Sequence, residues 1–231
     1  MSFPVKSSAA VLLLMLATVT TGGVAVIEAA QAPVTTTTVS GGMKSVLERF
    51  RVYNGKRTPK ALTALFDSKE PGGLMQQPPV ALSDGVTPVT ITVKVDTSDG
   101  RAPGFSSDRA KIVSTTRDAA GDWKIEAIPD AGTIQSTVLL LTGGAVKDLP
   151  LTVAPPLAAG TDLRLAAFST FLTGNGSNDK PLRDLNGDTM LDYQDDYIFT
   201  ANFLVKQRSD PHSPAARQRK ARELTLKKQV H

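Results

Sequence analysis

Residues 88–96, PVTITVKVD, alternate apolar and polar side chains without a break: Val89, Ile91, Val93 and Val95 against Thr90, Thr92 and Lys94. Only an extended chain, with its period of two, sends such residues to opposite faces, so the stretch predicts a half-buried strand. WKIEAI at 123–128 repeats the pattern with Trp123, Ile125 and Ala127. AKIVSTT, TIQSTVLLL and PLTVAPP add further strand-like runs, separated by turn signals at 98–100, 120–122, 130–132 and 142–144. Six or seven short strands in about 75 residues, with no helical segment between them, predict a mainly β fold whose core is an antiparallel β-sandwich.

A chain of 231 residues with 41% hydrophobic content has the material for one medium domain or two small ones. Aromatic residues make up only 5%, and Val, Thr, Ala and Leu dominate, which suits a modest β-rich body better than a large enzyme core. Cysteine is absent. That excludes disulfides, thiolate catalysis, cysteine-ligated zinc and a lipidated cysteine, and leaves packing or a metal to staple the fold.

Before the strands the chain changes character twice. Lys6 is the only charge ahead of Glu28, and the run between them is apolar, then small, then EAAQA, the layout of an export signal in residues 1–32. Pro33 follows the best small-x-small site, Ala30 to Ala32, and an uncharged run of about 20 residues also suffices to cross a bilayer, so a retained anchor stays open beside cleavage. Either way the remainder is expected outside the cytoplasm: periplasmic, at the cell surface or secreted, and anchored in the inner membrane if residues 8–27 are kept. PVTTTTVSGG, 33–42, reads as a polar linker. A short helical region is expected over 43–70. Met43, Val46, Leu47 and Phe50 fall at helical spacing, and Thr58 precedes Pro59 as an N-cap precedes a first-turn proline.

VALSDGVTPVTITVKVDTSDGRAPG, 80–104, in which a D-G turn leads into a Thr/Val strand and then into a second D-G turn, resembles the opening of bacterial immunoglobulin-like domains of the invasin and intimin type. The likeness extends over roughly 78–155 within an expected domain of 74–155. It implies an immunoglobulin-like sandwich that acts as a spacer or adhesive module on a cell surface. VAPPLAAG, 153–160, ends the sandwich with two prolines. Thr161 is then expected to cap a helix with Leu165, Phe168 and Leu172 on one face, widened by Leu163, Ala167 and Phe171.

DLNGDTMLDYQD, 184–195, follows, with four aspartates and an asparagine at alternating places. Like charges so close repel unless a cation lies among them. A twelve-residue calcium loop takes its oxygens from positions one, three, five, seven, nine and twelve. Here those are Asp184, Asn186, Asp188, the backbone carbonyl of Met190, Asp192 and Asp195. Leu191, at the eighth position, is expected to point inward and tie the loop to the core. Ile198, Phe199, Phe203 and Leu204 would share one side of an exiting helix. So many oxygen donors suit calcium better than magnesium or manganese, and with no histidine nearby the ion reads as structural.

An aspartate at position twelve makes the loop resemble the dockerin form of the motif, D-x-N-x-D-G-x-V-N-x-x-D. It is matched at Asp184, Asn186, Asp188, Asp192 (Asp for Asn) and Asp195. Thr189 stands where the family has glycine, and Asp196 where it has an apolar residue. The resemblance implies a dockerin-like helix–calcium loop–helix module over 160–206. A complete dockerin carries two loops. Here NGSND, 175–179, only begins like a second one, so the family's docking to cohesin does not carry over.

From Lys206 onward eight Lys/Arg stand against two acids, a net +6 within a chain of net +4, so the upstream body carries a net −2. The high isoelectric point therefore belongs to a basic, disordered tail at 207–231. The tail suits an anionic polymer or lipid headgroups as well as plain solvation, and nucleic acid is not expected as a partner of the body. Both histidines, His212 and His231, lie in the tail; no phosphate-cradling loop or dinucleotide fingerprint occurs. No catalytic residues are expected. The chain reads as an exported, non-catalytic binding, adhesion or assembly protein with a structural calcium ion, its partner an unidentified protein or glycan. The alternative is a dockerin-like accessory component of extracellular polysaccharide processing.

Overall fold

A computed structural model of the chain describes residues 43–67, 74–96, 101–143, 145–174 and 183–210. The expected export segment, the linker, NGSND and the tail beyond Asp210 lie outside them. No helix among the described residues is long and apolar enough to cross a membrane.

The body is sheet-rich, with antiparallel sheets and a few short helices. β1 (Met75–Gln77), β3 (Val89–Val93), β6 (Trp123–Pro129) and β5 (Ala110–Arg117) form one antiparallel sheet in the order β1-β3-β6-β5. β4 (Gly104–Asp108), β7 (Ser136–Thr142) and β8 (Ala145–Leu151) form a second, in the order β4-β7-β8. The alternation in the sequence is the alternation in space. Val89, Ile91 and Val93 are buried while Thr90 and Thr92 are only partly so, and Ile91 stands opposite Ile125 in the register. These residues share one apolar core with Ile125, Ala127, Val138, Leu140, Leu149 and Leu151, drawn from both sheets. Each fully buried Val, Ile or Leu contributes about 1.5–3 kcal/mol.

Three strands depart from the expected pattern. GFSSD was not among the strand-like runs, yet Gly104 opens β4, because its partner β7 supplies the hydrogen bonds that the sequence does not advertise. β2 (Ala81–Leu82) and β9 (Val153–Ala154) pair in parallel, so the pairing is not antiparallel throughout. Arg109, at φ 53, carries the chain from β4 in one sheet to β5 in the other. The Gln76 side chain does a strand's work at the far end: its amide donates to the Thr152 carbonyl at 2.9 Å and accepts from the Thr152 N–H at 2.8 Å.

Helices lie at both ends of the chain's strand region. α1 (Val46–Val52) starts at Ser45, whose hydroxyl accepts the Glu48 N–H. As expected, α2 (Pro59–Ala64) starts at Thr58 with Pro59 in the first turn. α3 (Leu165–Thr173) begins later than expected: Arg164 is its N-cap, and the Thr161 hydroxyl bonds back to the Ala158 carbonyl. Asp162 takes the Arg164 N–H and its guanidinium, which hold the carboxyl down to about 2. Leu165 is 60% exposed, so the buried face of α3 is Phe168, Phe171 and Leu172. α4 (Tyr193–Ser209) extends three residues into the stretch read as tail.

Val46, Leu47, Phe50 and Leu62 from the first pair of helices join Phe168, Phe171, Leu172, Ile198, Phe199 and Phe203 from the second pair in one cluster. α4 is the centre of it, with every residue from Asp195 to Phe203 buried. A helix enclosed on all sides needs partners around its whole girth, and α1, α2, α3 and β9 all contact it.

Candidate metal centre

The loop 184–195 is wound around the carboxylate of its first residue. Asp184 Oδ1 accepts the N–H groups of Gly187 (2.7 Å) and Asp188 (3.1 Å), and Oδ2 accepts that of Thr189 (3.0 Å). Gly187 and Thr189 both lie in the left-handed region, at φ 75 and 67. Such turns bring successive N–H groups toward one point. A β-branched residue there is strained by about 1–2 kcal/mol, and the loop accepts that strain at the position where the resembled motif has glycine. Asp188 Oδ1 accepts the Met190 N–H and Oδ2 the Asn186 amide, both at 2.8 Å.

The far end of the loop is the start of α4. Asp192 caps the helix and Asp195 answers from the third helical position, its Oδ2 accepting the Asp192 N–H at 3.0 Å, which completes a capping box. Asp195 Oδ1 reaches across the loop to the Leu185 N–H at 2.7 Å, so this one carboxylate ties the loop's beginning to its end. Asp195 is 0% exposed. Burial pushes its carboxyl above the ordinary carboxylate range, the N–H groups of Leu185 and Asp192 pull it down, and the charges of Asp192 and Asp184 push it up further.

The fold thus places Asp184, Asn186, Asp188, Met190, Asp192 and Asp195 on one closed turn of chain. Each of them carries an oxygen, and oxygens are the hard donors that calcium takes. Their carboxylates are turned toward N–H groups, and no three His, Cys, Asp or Glu side chains among the described residues are gathered at metal-binding distance. Leu191 does not tie the loop down: it is 43% exposed, and Met190 60%. The loop is fastened at its ends instead, by Leu185 and Tyr193, which pack against the helical cluster.

Three residues next to the loop carry interactions that its spacing does not reveal. Asp196 is buried and paired with Arg57, from the stretch between α1 and α2, and with Arg183, just ahead of the loop, at 3.4 Å. The Tyr197 hydroxyl donates to the Val153 carbonyl at 2.6 Å and accepts the Val153 N–H at 3.1 Å. Burial raises its pKa above the ordinary value of 10.0. Asn202 donates to the Pro155 carbonyl at 2.9 Å. The charge of Asp196 in an otherwise apolar helix face was the one visible sign. Its partner Arg57 lies 139 residues away.

No protein-family model matches this chain, and no curated protein and no solved structure is significantly similar to it.

Proposed function

We propose that this is an exported, non-catalytic binding, adhesion or assembly protein of the periplasm or cell surface, built from an immunoglobulin-like sandwich and a dockerin-like module with a structural calcium ion. The observation that carries the reading is Asp195, a fully buried carboxylate on a loop that holds three further aspartates and an asparagine. A buried charge without a counterion is costly, and a cation within the loop is what relieves it.

Asp184, Asn186, Asp188, the Met190 carbonyl, Asp192 and Asp195 would hold the ion. Bound calcium supplies the positive charge that offsets the mutual repulsion of the carboxylates. The chain's own residues do the rest: Thr189 and Gly187 turn the loop, Asp192 and Asp195 start α4, and α4 hands that order to β9 through Tyr197. Burial of the Asp195 end of α4 among α1, α2 and α3 supports a role in stability and presentation rather than in chemistry.

Calorimetric titration of the full chain with calcium tests this. One ion per chain, with a Kd at or below about 1 mM and at least tenfold weaker binding in Asp184→Asn, is the expected result. No heat and no rise in Tm at about 10 mM calcium would remove the ion from the account. A glycan array then separates the alternative: retention of one glycan class points to polysaccharide processing.

A further inference from the structure

The middle strand of the sheet β4-β7-β8 is apolar on both sides. Val138 and Leu140 belong to the core, and the residues alternating with them, Leu139 and Leu141, stand on the opposite face. The register sets Val146 of β8 beside Leu141, with only Gly104 and Ser106 of β4 on the other flank. With so little side chain beside them the two leucines are left open: Leu141 is 39% exposed and Leu139 half-buried. A strand with apolar residues on both faces belongs in a sheet covered on both. No helix among the described residues packs along this outer face.

Toward Thr137 the same face turns acidic. Asp148 lies beside Leu139 and Asp108 beside Thr137; both are exposed, and neither is paired with a cation among the described residues. Lys147, next to Asp148, alternates to the other side of β8. The two aspartates line a recess of about 280 Å³ that Leu47 and Glu48 of α1 also wall, and no Lys or Arg among the described residues lines it. Of the segments outside the described residues, LTLKK at 224–228 joins alternate leucines to lysines. Extended, it would carry Leu224, Leu226 and Lys228 on one side at steps of about 7 Å, the step from Leu141 to Leu139 to Thr137 along β7. Thirteen residues, 211–223, separate it from Asp210. They reach about 45 Å when extended, against about 40 Å for the width of a domain of this size.

We propose that residues 224–228 of this chain dock on the outer face of β4-β7-β8, Leu224 and Leu226 against Leu141, Leu139 and Val146, with Lys228 at the recess between Asp108 and Asp148. The leucines give the contact its area and the lysine fixes its direction, since the opposite direction would set an ammonium on Leu141. A tether of this length holds the segment at an effective concentration on the order of 1 mM, so a contact with a Kd of about 1 mM is about half occupied in the intact chain. The docked tail occludes a surface otherwise open to a partner protein.

The chain has no cysteine, so Gln229→Cys in the full chain takes a single nitroxide label beside the segment. The methyl signals of Leu139, Leu141 and Val146 are expected to broaden at least about threefold more than those of the exposed Val52 and Val86, as half occupancy requires. Leu224→Ser with Leu226→Ser should remove the excess, and so should Lys227→Glu with Lys228→Glu, while unchanged shifts of the buried Val89 and Ile91 show that the body stays folded. A sample mixing labelled chains with isotope-enriched, unlabelled chains should show no excess. Excess broadening in that mixture would assign the face to a second copy and overturn docking within the chain. Uniform broadening over the surface, broadening at Met190 and Leu191 of the acidic loop instead, or an excess that survives the leucine substitutions would each overturn the proposal.

Discussion

Tyr197 shows how much one side chain carries. Its hydroxyl meets both polar groups of Val153, so the end of α4 nearest the acidic loop is bonded to β9 in an otherwise apolar contact. Tyr197→Phe leaves a buried N–H and C=O without their partner and should destabilise the chain by about 1–3 kcal/mol, read from denaturant unfolding at pH 7. A pH dependence accompanies it. The folded-state value of Tyr197 is raised above its unfolded value near 10 by burial, so its contribution is fully present below pH 10 and is lost as pH rises further. The wild-type chain should therefore lose stability above pH 10 more steeply than Tyr197→Phe. Parallel alkaline limbs for the two proteins would contradict this.

At the scale of the element, the loop 184–195 and the start of α4 are one unit. The residues at loop positions nine and twelve are also the N-cap and third position of the helix, so ordering the loop and starting the helix are the same event. Thr189 is the flaw in that unit, a β-branched residue at φ 67. Thr189→Gly removes the left-handed strain and should stabilise the loop by about 1 kcal/mol, part of which is offset by glycine's greater freedom when unfolded. Calcium affinity, where measurable, should rise by about fivefold with it. A fall in both Tm and affinity would mean that the Thr189 side chain makes contacts outweighing the strain.

For the whole molecule, the decisive fact is that segments before and after the strands share one hydrophobic cluster. Phe50 packs edge-on to Tyr197 and Leu62 lies in the same core as Phe168. Arg57 adds an ion pair to Asp196. A fragment of residues 160–210 alone would expose Ile198, Phe199 and Phe203 on the side that α1 and α2 cover. It should show little helix by circular dichroism, and a peptide of residues 43–67 added in trans should restore helical signal with saturable dependence. A fully helical isolated fragment that unfolds cooperatively would show that the N-terminal helices are dispensable.

Local periodicity made much of the fold legible. The alternation of Val89, Ile91 and Val93 is fixed by the strand's own geometry, and the capping of α2 by Thr58 by its own first turn, so these could be read from a few neighbouring residues. The acidic spacing of 184–195 was visible for the same reason: it is a pattern within twelve residues. Leu165 and Leu191 were misread because exposure depends on what another part of the chain places beside a residue, and Thr161 because its hydroxyl turns back to the Ala158 carbonyl. The parallel pairing of β2 with β9, the ring of helices around α4 and the sharing of Asp196 between Arg57 and Arg183 join residues far apart in sequence. Sequence alone determined most of the strands, the cap of α2 and the acidic loop, because those follow from short-range sterics and hydrogen bonding. Only the tertiary structure decided which of them meet, because burying a helix on every side requires surfaces that no single segment contains.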